Sequence, residues 1–289
     1  MRVILGFVLL LCGSASASVS AVDSDGRRVA LSSPAQRIVS LAPHVTEQLF
    51  AAGAGSKVVA ISEYSDHPPA ALKLPRVASS ANIDIEAVLA LKPDLVVAWR
   101  LEATTKALRR LEELGLTVFY NEPRRLAQIA GMVEAMGELA GTAPTARALA
   151  AALREELARL ERTYRGRRPV SLFYQIADKP LMTLGGEQFV SDAIALCGGR
   201  NIFADAPMIA PVVSIEAVLA ADPEAIITAW PGDWRKLTGL RAVRAGNLYS
   251  VPRDEMHRHG PRAVGATRVL CERIDEARRK QPPTAASPR

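Results

Sequence analysis

Two stretches decide the fold: residues 84–98 read DIEAVLALKPDLVVA, and residues 214–228 read SIEAVLAADPEAIIT. The run IEAVLA is identical in both stretches, and the proline that follows it lies in the same register. Self-similarity of this kind marks two copies of one supersecondary unit. The sequence therefore predicts an internal duplication, with one copy in each half of the chain.

Each copy carries the signals of a helix that leads into a strand. Asp84 and Ser214 are good helix N-caps, and Pro93 and Pro223 end the helix. The apolar runs that follow, LVVA (95–98) and AIITA (225–229), suit strands that are buried on both faces, as in a parallel sheet. Each copy is thus predicted to be a helix followed by a parallel strand.

The surrounding segments repeat this alternation of strand-like and helix-like patterns. Such alternation is typical of parallel sheets with helices on both faces, and 289 residues allow two lobes of this kind. Besides the two copies, we predict strands over 37–42, 58–62, 117–120, 170–176 and 247–251, and helices over 46–52, 104–114, 190–196 and 261–280. The predicted fold class is α/β, with two parallel-sheet lobes.

A long amphipathic segment lies between the two halves. From Pro144 to Arg165, leucines recur at helical spacing with arginine and glutamate opposite them, and Gly166 follows the end. At about 1.5 Å per residue, this helix is long enough to join the lobes as a rod. We therefore predict an N-terminal lobe over 22–142 that opens with a hairpin at 22–31, a linking helix over 143–166, a C-terminal lobe over 167–280 and a disordered tail over 281–289.

Residues 1–21 have the order of a secretory signal peptide. An arginine precedes the apolar run 3–11, and small residues follow it, so we expect cleavage after Ala17 or Ala21. The run is too short to cross a bilayer, which needs about 20 apolar residues. The mature protein is expected to be soluble and exported. A lipid anchor on Cys12 is the weaker alternative, because leucine precedes it where a small residue is expected.

Removal of that segment leaves two cysteines, Cys197 and Cys271. In an oxidising compartment, an even number of cysteines favours a disulfide over a redox or zinc site. Two buried free thiols are the alternative.

Composition and motifs argue against several classes of function. The net charge is +6, but the surplus is scattered and aromatic residues make up only 5%, which disfavours nucleic-acid binding. The sequence contains no nucleophile elbow, phosphate-binding loop, dinucleotide fingerprint or zinc-helix motif. His44, His67, His257 and His259 fall in predicted loops, and two neighbouring histidines do not complete a metal site. We expect no enzyme, no cofactor and no bound metal.

The loops after the predicted strands carry aromatic and polar residues. In α/β proteins, ligands bind in crevices outside the carboxyl ends of the strands. Tyr64, Trp99 and Tyr174 lie at such ends, and so does the segment 254–262. We therefore predict a ligand-binding crevice between the two lobes.

Several of these stretches together resemble one family of transport proteins. The carrying motifs are RIVSLAPHVTEQLFAAGAG (37–55), EYSDHPPAA (63–71), VLALKPDLVVAWR (88–100), LCGGRNIF (196–203) and RHGPR (258–262). The chain is similar to the periplasmic cobalamin-binding proteins of ABC importers, which are helical-backbone substrate-binding proteins. The resemblance implies two Rossmann-like lobes joined by one long helix, no catalytic activity, and capture of cobalamin or a related corrinoid. A protein of this family is expected to be a monomer when free.

The resemblance also implies roles for individual residues. Tyr64 matches a tyrosine that packs against the corrinoid, and Trp99 matches an aromatic residue at the rim of the cleft. The C-terminal-lobe loop that touches the ligand corresponds to Asp254, Glu255, Met256, His257 and Arg258. With Tyr174 from its place at a strand end, these residues form the predicted corrinoid site.

The resemblance also implies which residues contact partner proteins. Glu86 and Glu216 match surface glutamates that dock onto arginines of a permease dimer, which works with ATPase subunits. Because they occupy the same place in the two copies, they suit a two-fold symmetric partner. The alternative for each glutamate is a purely local role, in which its negative charge stabilises the start of its own helix. Cys197 and Cys271 match the disulfide positions of the family.

Some positions depart from the family pattern. Ser80 and the region of Ala210 replace two cleft tryptophans, and Glu255 and Met256 replace two aromatic residues. The alternative ligand is haem or an iron–siderophore, with iron coordinated by Tyr64 together with His67 or His257. A secreted hydrolase and an orphan receptor are further alternatives, the first lacking a clustered nucleophile and base.

Overall fold

The structure, a computed structural model, describes residues 18–229 and 232–280. The predicted signal segment as far as residue 17, with Cys12, and the predicted tail at 281–289 lie outside the described residues. Within them, two parallel sheets form two α/β lobes, and one long helix joins the lobes. The predicted fold class is confirmed.

The N-terminal lobe combines a hairpin with a parallel sheet. Its elements are β1 (Val19–Val22), β2 (Arg28–Leu31), β3 (Ile38–Ser40), α1 (Pro43–Ala51), β4 (Val58–Ser62), β5 (Arg76–Ala78), α2 (Ile85–Ala90), β6 (Leu95–Ala98), α3 (Thr105–Glu113), β7 (Val118–Tyr120) and α4 (Gln128–Ala140). The sheet order is β5-β4-β3-β6-β7, with all neighbours parallel. Strands β1 and β2 pair antiparallel, and their hairpin begins at Val19, earlier than predicted.

The linking helix α5 (Ala143–Tyr164) follows directly. Its first half places Ala146, Ala150 and Leu153 in the core of the N-terminal lobe. Its second half places Leu160 and Tyr164 in the core of the C-terminal lobe. One helix therefore belongs to both cores, as the amphipathic pattern predicted.

The C-terminal lobe has a four-stranded parallel sheet. Its elements are β8 (Val170–Gln175), α6 (Phe189–Leu196), β9 (Gly199–Asn201), α7 (Ile215–Ala221), β10 (Ala225–Thr228), α8 (Arg241–Arg244), β11 (Leu248–Ser250), α9 (Arg253–His257) and α10 (Arg262–Lys280). The order β9-β8-β10-β11 matches β4-β3-β6-β7 of the other lobe. The duplicated sequence therefore occupies equivalent places in the two sheets: α2 leads into β6, and α7 leads into β10.

The two copies are alike in their local structure. The Asp84 carboxylate accepts a hydrogen bond from the Ala87 amide at 2.9 Å, and the Ser214 hydroxyl accepts one from the Ala217 amide at 3.1 Å. These bonds satisfy amides that the first turn leaves unpaired. The residue before each proline, Lys92 or Asp222, has a positive φ. Each helix therefore ends in the same left-handed turn before its strand.

Other parts of the N-terminal lobe also differ from the prediction, and strand β5 is one that was not predicted. Helix α4 was not predicted; it buries residues on most of its faces and so lacks a clear polar side. His44, predicted to lie in a loop, lies in α1, where it is fully buried. The predicted helix at 46–52 starts earlier because Pro43 occupies its first turn.

Cys197 and Cys271 form a disulfide. It ties the end of α6 to α10, and both cysteines are fully buried in the core of the C-terminal lobe. The predicted pairing is confirmed. None of the helices in the described part of the chain is long and apolar enough to cross a membrane.

Candidate ligand-binding cleft

A cavity of about 490 Å³ lies between the two lobes. Its walls come from the segments that follow the carboxyl ends of β6 and β7 in one lobe, and of β8, β9 and β11 in the other. The lining residues are Trp99, Arg100, Glu122, Pro123, Arg124, Ile176, Leu184, Glu187, Gln188, Phe189, Val190, Ile209, His257 and His259. The cavity occupies the place where α/β sheets bind ligands.

Aromatic rings from both lobes meet at one end of this cavity. The ring centroids of Trp99 and His259 are 5.4 Å apart, and those of His259 and Phe189 are 4.4 Å apart. His44 packs edge-on against both Trp99 and His259, each at 5.4 Å. The Nε2–H of His44 donates a hydrogen bond to the Asn121 carbonyl at 3.1 Å. These contacts fix an apolar, aromatic wall for the cavity.

The three histidines near the cavity are uncharged at neutral pH. Burial lowers the pKa of His44 to about 4 and that of His257 to about 4, and it lowers the pKa of His259 to about 3. Because these values lie far below 7, the imidazole rings add no positive charge to the cleft.

A buried tyrosine orients one of these histidines. The Tyr174 hydroxyl lies 3.1 Å from Nε2 of His257, and Tyr174 is completely buried in β8. Burial raises the pKa of Tyr174, so the hydroxyl stays protonated. Tyr174 therefore acts on the cleft through His257.

The lobes are also joined by ion pairs. Glu47 of α1 is buried, and its carboxylate lies 3.0 Å from the Arg258 guanidinium and 2.6 Å from that of Arg262. Arg258 also pairs with Asp66 at 2.6 Å. Burial opposes the charge on Arg258, but the hydrogen bonds to Asp66 and Glu47 outweigh it and raise its pKa. The Gln48 amide donates to the His259 carbonyl at 2.7 Å in the same interface.

The sequence matches the model of the periplasmic binding protein family over residues 38–252, which is more than half of the chain. The chain belongs to the periplasmic binding protein family.

Individual relatives agree with this assignment. The vitamin B12-binding protein of Vibrio cholerae is 38% identical over 253 residues, covering 86% of this chain and 92% of the relative. The vitamin B12-binding protein of Photorhabdus laumondii is 36% identical and covers 83% and 88%. The crystal structure of the periplasmic vitamin B12 binding protein of Vibrio cholerae superposes with a TM-score of 0.81 at 39% identity, covering 86% of this chain and 99% of that one. The resemblance to periplasmic cobalamin-binding proteins is confirmed.

A haem-binding protein shares the architecture at lower similarity. The periplasmic heme-binding protein of Roseiflexus sp. RS-1 has a TM-score of 0.71 at 24% identity, covering 84% of this chain and 99% of that one. At this identity the likeness concerns the fold alone.

The predicted ligand residues of this periplasmic binding protein divide into those that line the cavity and those that do not. Trp99 and His257 line the cavity. Tyr64 lies in the loop after β4 with a left-handed backbone, and 73% of its surface is exposed. Asp254 is exposed, whereas Met256 is completely buried in the core. Glu255 is half-buried and lies 3.7 Å from Arg262, and Arg258 is engaged in the interlobe ion pairs.

Other cavity residues were not predicted. The segment 122–124 comes just after β7. Because ligands bind outside the carboxyl ends of parallel strands, its place at a strand end could have identified it from the sequence. His259 falls in the segment 254–262 that was predicted to lie at the crevice, but it was interpreted as a structural loop residue and not assigned to the ligand site. Ile209 lines the cavity next to Ala210, where the family pattern has a tryptophan. At this place an aliphatic side chain provides the apolar surface.

Glu86 and Glu216 lie in the first turns of α2 and α7, and both are exposed. The helices face inward through Val88 and Val218, which are completely buried. Hydrogen bonds from the backbone at the helix start and from Ser214 lower the pKa of Glu216. The structure thus presents one carboxylate at the same place on each lobe.

Proposed function

We propose that this chain captures cobalamin in the interlobe cleft and delivers it to an ABC importer. The observation that carries the proposal is the cavity itself, with walls from both lobes and the Trp99 ring on one of them. The two relatives named as vitamin B12-binding proteins support the choice of ligand.

The wall chemistry suits a large, mostly uncharged ring system. Trp99 and Phe189 offer aromatic faces, and Leu184 and Ile209 offer aliphatic surface. His257 and His259 are neutral and can exchange hydrogen bonds with the amide side chains of a corrin ring. Tyr64 stands exposed in the loop after β4, with a side chain free to pack on bound ligand.

Calorimetric titration of the purified protein with cyanocobalamin tests the proposal. We expect saturable binding with one site and a dissociation constant below the micromolar range. Trp99→Ala should weaken binding about tenfold, as expected for loss of an aromatic anchor, and Trp99→Phe should recover most of the loss. Haem is titrated in parallel. Binding of haem without binding of cyanocobalamin would contradict the proposal and favour the alternative ligand.

We propose further that Glu86 and Glu216 dock onto a permease dimer whose ATPase subunits drive transport. The support is that the two carboxylates are exposed and occupy equivalent places on the two lobes, which suits a two-fold partner. The double variant Glu86→Ala/Glu216→Ala should lose binding to the reconstituted permease and keep its affinity for cyanocobalamin. Glu272→Ala, which removes an exposed carboxylate on α10, is the control and should leave both unchanged.

The chain is proposed to reach the periplasm after cleavage of its signal segment at Ala17. Cleavage after Ala21 would remove most of β1, whereas cleavage after Ala17 leaves Val19–Val22 intact for pairing with β2. The intact mass of the exported protein should therefore match a chain that begins at Ser18. A mass that matches a lipidated Cys12 would support the anchored alternative.

A further inference from the structure

A second cavity of about 350 Å³ adjoins the interlobe cavity. It lies in the N-terminal lobe between the turn of the β1–β2 hairpin, at 23–26, and the start of α4. Glu122, Pro123 and Arg124 line both cavities. The two cavities therefore border each other at these three residues.

The carboxylates around the second cavity are already neutralised. Asp23 pairs with Arg27 at 2.8 Å. Arg100 pairs with Asp25 at 2.6 Å and with Glu122 at 2.9 Å. The hydrogen bonds to Glu122 and Asp25 raise the pKa of Arg100, so this guanidinium is committed to them. The charges of Arg100 and Arg27 are therefore both paired with carboxylates of the protein and are not available to a ligand.

Arg124 differs from these arginines. It is exposed, it lines both cavities, and no carboxylate of residues 18–229 or 232–280 lies within ion-pair distance of its guanidinium. The remaining carboxylate of the first cavity, Glu187, belongs to the wall of the C-terminal lobe and does not line the second cavity. The junction of the two cavities thus presents one positive charge that the protein does not neutralise.

We propose that the second cavity receives the nucleotide tail of cobalamin and that Arg124 binds its phosphodiester. This inference rests on the proposed function and adds the part of the ligand that is recognised. Cobalamin is a corrin ring with a tail joined through a single phosphodiester, and a guanidinium binds a phosphate through paired hydrogen bonds. Arg124 would then distinguish complete cobalamin from corrinoids without a tail.

The experiment compares cyanocobalamin with dicyanocobinamide, which has the corrin ring but neither phosphate nor nucleotide. Dissociation constants are measured by calorimetry for the wild type and for Arg124→Gln, Arg124→Lys and Arg109→Gln. Arg109 is an exposed arginine of α3 that lines neither cavity, so its variant removes the same charge from the same lobe. Thermal melts verify that each variant is folded.

The expected result is selective. Arg124→Gln should weaken cyanocobalamin binding about five- to tenfold, as for loss of a partly exposed charged contact, and leave dicyanocobinamide binding within about twofold. Arg124→Lys should recover part of the loss, and Arg109→Gln should change neither ligand. Equal effects of Arg124→Gln on both ligands, or no effect, would overturn the inference and leave the proposed function standing. Failure of both ligands to bind the wild type would overturn both.

Discussion

At the scale of single residues, Glu47 carries the electrostatic link between the lobes. Its side chain is only 2% exposed, and it faces two arginines from the other lobe. We expect Glu47→Gln to lower the free energy of unfolding by about 2–3 kcal/mol, because the variant leaves Arg258 and Arg262 without their shared partner in a poorly solvated place. Urea denaturation followed by circular dichroism measures the change.

Glu134→Gln is the matched comparison for this prediction. Glu134 pairs with Arg154 through two hydrogen bonds of 2.6 Å, but that pair is considerably more exposed. An exposed pair contributes about 0–1 kcal/mol. Equal losses in the two variants would show that the interlobe location of Glu47 does not matter.

The buried histidines predict a loss of stability in mild acid. The folded state holds the pKa of His44 near 4, mainly through burial, while the unfolded value is about 6.5. Glu47 and Glu122 act in the opposite direction, and Arg258 acts in the same direction as burial. Since the unfolded chain binds the proton more readily, this contribution is fully present above pH 6.5 and is lost as the pH falls toward 4.

His44→Gln should therefore flatten the pH dependence of stability between pH 6.5 and 4.5. The glutamine amide can still donate to the Asn121 carbonyl, so the fold is retained. The expected change in slope is up to about 1.4 kcal/mol per pH unit. Thermal melts across this pH range measure it, and an unchanged slope would be inconsistent with a histidine kept neutral by burial.

At the scale of elements, the packing of α4 on α5 depends on a glycine. A Cβ atom at Gly137 would lie 2.2 Å from the Cβ of Ala146, whereas a Cβ at Gly131 would meet nothing within 4 Å. Gly137→Ala should lower the free energy of unfolding by about 1–3 kcal/mol through overpacking. Gly131→Ala, in the same helix, should raise it by up to about 1 kcal/mol through helix propensity.

Urea denaturation of the two glycine variants decides this point. Because both substitutions replace glycine by alanine in the interior of α4, they share the effect on helix propensity and differ in the contact with α5. Similar shifts of the urea midpoint in both variants would contradict the prediction, because they would show that a methyl group at position 137 does not disturb the packing of α4 on α5.

At the scale of the whole molecule, the disulfide stabilises the C-terminal lobe. It closes a loop of 74 residues in sequence separation, for which the chain-entropy description gives about 4 kcal/mol. Cys197→Ala/Cys271→Ala should lower the stability of this lobe by a similar amount. Addition of a reductant should bring the wild type down toward the double variant and leave the variant itself unchanged. A reductant effect of equal size on the variant would contradict the prediction.

The sequence by itself determined the α/β class, the duplication and the linking helix, since these follow from short-range signals. The caps at Asp84 and Ser214, the prolines after each helix and the leucine spacing in α5 all act within a few turns of chain. The boundary of β1 escaped prediction because small residues of the signal segment continue into the strand. Helix α4 escaped it because burial on most of its faces removes the amphipathic pattern.

Only the tertiary structure decided which residues face the cleft. Glu47 and Arg258 lie 211 positions apart in sequence, and their contact depends on the docking of one lobe against the other. The same docking left Trp99 and His257 on the cavity wall and brought His259 beside Trp99, while Met256 is buried in the core of the C-terminal lobe. Local patterns fix how a segment folds, but the side chains that share a cavity depend on which distant loops converge, and no short stretch of sequence encodes that.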